Sequence, residues 1–256
     1  MTIALSLLAG AVIGALLGLL GGGGSILAVP ALVYGIGLNV NEAVAISLLV
    51  VGLASLAGTF PKLCLGQVNW RVAGIFATAG IPATFAGSAL SGRLSQQALM
   101  IGFATVMTAV TLRILAAAGR AGDAAGTRND GDVSRVRSVL LSISAALTVG
   151  LLTGLFGVGG GFLVIPALVL MLGLEMPVAI GTSLVVIAVN SAAGFVLHVH
   201  HVSIPWSITA AVVGSAVIGS LVAGHFGRRV PSHRLQRWFA LLVLAVAVYT
   251  VVHAAN

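Results

Sequence analysis

Charge is what this sequence has least of. Asp, Glu, Lys and Arg make up 7% of its 256 residues, against roughly 25% in an ordinary soluble domain. So thin a supply cannot coat a globule in water, and the outside of the protein has to face lipid. Acidic residues are the scarcer sign, five against twelve basic ones. The net charge of +7 does not point to nucleic acid, because the Arg and Lys fall in short loops between apolar runs, where basic residues set membrane orientation. No nucleic-acid partner is expected.

Cysteine is nearly absent too. The single Cys64 excludes an internal disulfide and supplies no ligand spacing for a metal. An intramembrane enzyme or redox subunit would need a nucleophile–base pair or cofactor ligands inside the spans. Here Cys64 is near a helix end and His198, His200 and His201 fall beside a loop, while His225, His233 and His253 sit at other ends. No GxxxxGK[ST] phosphate loop is present either. The expectation is neither an enzyme nor a cofactor protein, with any drive coming from a gradient or a partner rather than from a nucleotide.

What the chain does have is hydrocarbon: 59% hydrophobic residues and a mean hydropathy of +1.17. Ile3–Leu20, Glu42–Phe60, Arg71–Leu90, Ser95–Ala118, Ser138–Phe156, Pro177–Leu197, Pro205–Gly224 and His233–His253 each come close to the ~20 residues that a spanning helix needs. The runs are continuous rather than alternating, so helices, not a barrel, satisfy the backbone. An all-α, multi-pass protein of the cell inner membrane follows. The N-terminus lacks the basic region of a signal peptide and reads as part of the mature protein.

The sequence also repeats. Shifted by 136 residues, GLLGGGGSILAVPALVYGIGL (Gly18–Leu38) falls on GLFGVGGGFLVIPALVLMLGL (Gly154–Leu174) without a gap. Pro30 meets Pro166, Ser47 meets Ser183, Ser55 meets Ser191, Gly58 meets Gly194 and Trp70 meets Trp206. The reading is two homologous units, 1–118 and 138–256, joined by the polar stretch Gly119–Arg137 as a cytoplasmic linker. Each unit has five segments, the second of them short: Ser25–Gly37 and Phe162–Leu174. At 1.5 Å per residue these reach only about 20 Å across a hydrocarbon core of roughly 30 Å. They either cross with a Gly-rich break sunk into the bilayer or are re-entrant. Five crossings per unit invert the second copy and put Lys62, Arg71 and the cluster Arg228, Arg229, Arg234 and Arg237 on the linker side. Four crossings would leave that cluster outside. The positive-inside rule favours a 5+5 inverted repeat, with eight spans and two re-entrant segments as the alternative.

The glycine clusters Gly21–Gly24 and Gly157, Gly159, Gly160, Gly161 are the candidate site. Glycine inside a helix costs about 1 kcal/mol relative to alanine, so such runs mark breaks. Backbone groups freed there must face protein or a polar cavity. The helix beginning after a break, at Ser25 in the first copy, offers free N–H groups and a positive dipole end to an anion. Paired, interrupted segments at matching positions point to a transporter's binding site. Close helix packing is the plainer account of Gly10, Gly14 and Gly150. Around the breaks we read Gly22, Gly23, Gly24, Ser25, Gly159, Gly160 and Gly161 as substrate-binding. Ser47 and Ser55, then Thr182, Ser183, Asn190 and Ser191, are polar residues on the following spans and join the list. Structural hydrogen bonding between helices is their competing explanation. Lys62 reads as a topology anchor or an anion funnel, and Glu42 and Glu175 as solvated helix ends.

The doubled GLLGGGGSILAVP and GLFGVGGGFLVIP, each followed by a Ser-bearing helix (AISLLVV, GTSLVVI), resemble the sulfite exporter TauE/SafE family of membrane permeases over nearly the whole chain. The resemblance implies secondary transport of sulfite, sulfonates or related organic-acid anions. One departure is that the first copy reads GGGGS where the second reads GVGGG, so the two turns need not be equivalent. The expected partners are a small anion, the lipid bilayer and a coupled proton or ion. A homo-oligomer, an anion channel in place of a carrier, and the direction of transport all stay open at this stage.

Overall fold

The computed structural model describes residues 2–91, 135–156, 161–198 and 205–227 throughout, and parts of 102–113 and 230–245. The described residues are helical and contain no strand. In chain order they form α1 (Thr2–Leu20), α2 (Gly23–Pro30, running on into a π-helical turn, Ala31–Ile36), α3 (Val40–Leu63) and α4 (Trp70–Ser91). After the linker come α5 (Arg135–Phe156), α6 (Gly161–Leu170), α7 (Met176–His198) and α8 (Trp206–Gly227). The polar linker is shorter than its composition implies, since α5 already begins at Arg135. The remainder of the linker and most of the segments Ser95–Ala118 and His233–His253 lie outside the described residues.

Glu42–Leu63, Met176–Val196 and Trp206–Gly227 are each long and apolar enough to cross a bilayer, and Ala4–Leu20, Gly23–Ile36 and Val139–Leu155 are shorter apolar helices. Large apolar side chains point outward along them: Leu8, Phe60, Leu140, Val196 and Ile218 are all exposed. In water that surface would drive aggregation, whereas in lipid it costs nothing. The protein is an all-α, multi-pass membrane protein.

The interior splits into two cores. Ile13, Leu17, Leu32, Ile46, Val50, Val212 and Ala216 form one, drawn from α1, α2, α3 and α8. Phe76, Ala145, Leu163, Ile165, Leu168 and Leu184 belong to the other, drawn mainly from α4, α5, α6 and α7. Each core therefore draws mainly on the first three segments of one half and the fourth segment of the other, with Leu20 and Ile26 reaching into the second core and Ile187 into the first. The exchange is made through glycines. A β-carbon on Gly14 would collide with the Ala216 backbone, and one on Gly150 would collide with the Gly80 backbone. Those two pairs are the same pair moved by 136 residues. Lipid gives helices no hydrophobic reason to associate, so close backbone approach and dispersion supply the contact. The packing explanation thus holds for Gly10, Gly14 and Gly150.

The third segments cross at the centre. A β-carbon on Gly194 would lie 3.3 Å from Leu48, one on Gly52 3.3 Å from Ser191, one on Gly58 3.4 Å from Leu184, and one on Gly181 3.2 Å from Lys62. Numbers rising along α3 meet numbers falling along α7, so these equivalent helices run antiparallel. Both short helices also close alike. Leu38 N–H donates to the Leu32 carbonyl (3.2 Å) and Leu174 N–H to the Leu168 carbonyl (3.0 Å), around Gly37 and Gly173 at φ 82° and 66°. Each bond reaches back six residues, one more than the six-to-one bond of a Schellman cap, and each closes around a left-handed glycine as that cap does.

Candidate functional site

The first break is tighter than four consecutive glycines suggest. Only Gly21 and Gly22 leave the helix. Gly21 takes φ 71°, its N–H still reaches the Leu17 carbonyl (2.8 Å) and the Gly22 N–H reaches the Leu20 carbonyl (2.9 Å). Gly23 and Gly24 are already the first turn of α2. Gly24 is a packing residue, because a β-carbon there would run into the Ile13 carbonyl and the Leu17 side chain. Of the second cluster, Gly159 and Gly160 lie outside the described residues, and Gly161 is the first residue of α6.

The two short helices start against each other. A β-carbon on Gly161 would lie 2.9 Å from the Ser25 Oγ, and one on Gly21 would lie 2.8 Å from the Ser183 Oγ. The structure thus gathers Gly21, Ser25, Gly161 and Ser183 from four separate helix ends and spans. All four are buried. The hydroxyl protons are already used: Ser25 Oγ–H donates to the Gly22 carbonyl (2.7 Å) and Ser183 Oγ–H to the Ile180 carbonyl (2.9 Å). Ser25 also turns its backbone N–H back to Gly22 (3.3 Å). Gly23 and Gly24 are then the N–H groups that this end of α2 can offer to a ligand.

The other polar candidates spread out. Ser47 repeats the Ser183 bond, donating to the Val44 carbonyl (2.8 Å). Thr182 is occupied elsewhere: its hydroxyl accepts the Asn69 N–H (3.0 Å) and ties the α3–α4 loop to α7. Ser55 and Ser191 flank the α3–α7 crossing, where the Ser55 Oγ is buried without a hydrogen-bond partner among the described residues. Asn190 stands two turns beyond Ser183 on α7 and faces a small cavity with Thr84 of α4 and Thr153 of α5. Neither threonine stood out in the sequence, where each is one hydroxyl among many on an apolar helix. The signal was available in the repeat, since Thr153 falls on Leu17.

Lys62 is also not where a loop anchor would be. It is 2% exposed, held at the end of α3 beneath the Gln67–Gly181 contact. Trp70 and Trp206, by contrast, are 62% and 65% exposed at the starts of α4 and α8, as an interfacial belt requires.

The family model described as "Sulfite exporter TauE/SafE" matches residues 6–250. A "Probable membrane transporter protein" of Xylella fastidiosa strain Temecula1 is 33% identical over 245 residues, covering 94% of this chain and 92% of its own length. The "Probable membrane transporter protein YunE" of Bacillus subtilis strain 168 is 26% identical over 260 residues, covering 95% and 94%. No solved structure matches the chain significantly.

Proposed function

Because this chain belongs to the sulfite exporter TauE/SafE family, we propose that it is a gradient-driven transporter of small anions in the cell inner membrane. Its substrate binds where the two short helices begin, and the two halves rock about that point to open it to either side in turn. The observation that carries this reading is the contact between Ser25 and Gly161. It brings two helix N-termini together in the interior, each equivalent to roughly half a positive charge. The nearest donors are the backbone N–H groups of Gly23 and Gly24 and those that open α6. A small oxyanion of one or two charges suits such a site better than a cation or a sugar. The family description favours sulfite and sulfonates within that class, and the relatives named as transporters favour transport over catalysis.

The antiparallel passage of α3 over α7, and the exchange of α4 and α8 between the cores, support an inverted pair of five-segment units. In that arrangement the linker 119–137 is cytoplasmic and both termini are outside. Binding is tested by thermal shift on purified protein with sulfite, a short alkyl sulfonate, a neutral sulfone of matching size and a cation series. Stabilisation by the oxyanions and not by the sulfone is the expected result. Equal stabilisation by the sulfone contradicts a helix-end anion site.

A further inference from the structure

The two halves share the Gly14–Ala216 and Gly150–Gly80 contacts, and the cavity beside Asn190 is a place where they differ. It is lined by Asn190, Thr153, Thr84 and Gly80 among apolar neighbours, and it leaves about 10 Å³ for the centre of a water-sized occupant. That is room for roughly one such body. The Asn190 Oδ1 and the Thr153 Oγ1 are both buried without a hydrogen-bond partner among the described residues. The Thr84 Oγ1 donates to the Gly80 carbonyl (2.9 Å) and keeps its lone pairs.

Subtracting 136 gives the same place in the first half: Leu17, Ala54 and Ser220 stand for Thr153, Asn190 and Thr84. There the space is filled. Leu17 is fully buried, and Ser220 donates to the Ala54 carbonyl (2.7 Å). One fold therefore has two solutions for one site, a dry one and a polar one. Unpartnered oxygens inside a hydrocarbon environment are costly, and a packed apolar alternative is demonstrated in the same molecule.

We propose that the polar version is a sodium site. The cavity's lining includes no ionisable side chain, so it cannot bind and release a proton on a residue of its own. Carbonyl and hydroxyl oxygens are the ligands hard cations take. The absence of a carboxylate suits a single charge rather than two, and a dehydrated sodium ion is no larger than the water-sized space. Asn190 is seven residues beyond Ser183 on α7, about 10 Å along the helix. A cation there and an anion at the helix breaks attract through a medium of low dielectric, so each favours binding of the other. This last link rests on the anion-transporter reading, but the binding site itself does not.

The test uses purified full-length protein with no sulfur oxyanion present and chloride held constant. Sodium chloride or potassium chloride replaces choline chloride at fixed ionic strength, and thermal unfolding is followed. A saturable rise in Tm with sodium, larger than with potassium, is expected. In Thr153→Val and Asn190→Ala, each checked for a monodisperse fold, the apparent sodium Kd rises about tenfold or more. A Tm that responds no better to sodium than to choline or potassium overturns the proposal and leaves a structural water as the occupant. Variants that titrate like the parent also overturn it. Either result can stand beside intact oxyanion binding, so failure here is separable from failure of the transport reading.

Discussion

Ser25 and Gly161 hold the same place in the two halves, and they touch: a β-carbon on Gly161 would lie 2.9 Å from the Ser25 Oγ. A residue in contact with its own counterpart must lie beside the axis that relates the halves. The starts of α2 and α6 therefore converge there. In the proposed transport cycle that is the point a rocking motion displaces least, so a ligand held there would keep its contacts while the outer ends of the helices open and close.

Gly24 and Gly161 separate packing from function. Gly24→Ala drives a β-carbon into the Ile13 backbone and should cost about 1–3 kcal/mol of stability, read as a lower Tm in detergent. Gly161→Ala meets side-chain atoms of Ile187 and Ser25, which can shift. It should keep most of the stability and lose most of the transport. Equal loss of folding in both would reduce the glycine cluster to a packing device.

Ser220→Ala removes a buried 2.7 Å hydrogen bond from α8 to the Ala54 carbonyl on α3. The expected loss is about 0.5–1.5 kcal/mol, seen in unfolding and not in substrate affinity. A change in affinity without one in stability would place Ser220 at the substrate.

Much of this was legible in the sequence because the repeat supplies a second reading of each segment. The approximate helix ends and the close-packed Gly10, Gly14 and Gly150 follow from spacing and the 136-residue offset, whereas the left-handed turns at Gly37 and Gly173 came only with the structure. The helix partners do not follow. A small-residue face announces that a backbone will come close but not which one, so the pairing of α1 with α8 was hidden. Four glycines suggested a longer break than Gly21 and Gly22 make, because helix propensity is a weak prior once α2 packs on α1. Lys62 at a helix end ordinarily reaches water, and nothing local marks it as buried.

Orientation follows from the inverted reading. In a Cys64→Ser background, Gly126→Cys and Ala255→Cys should react with an impermeant maleimide from opposite sides of the membrane. Reaction of both from one side would mean an even number of crossings between them and would remove the inverted arrangement.

The central claim is tested most directly by flux. Protein in liposomes, under imposed sodium and pH gradients, is given labelled sulfite and measured beside a Gly161→Ala preparation. The account predicts saturable, protein-dependent sulfite movement that a short sulfonate competes for, a neutral sulfone does not, and Gly161→Ala largely loses. Absence of protein-dependent flux for every oxyanion offered, or flux that Gly161→Ala leaves intact, would contradict it.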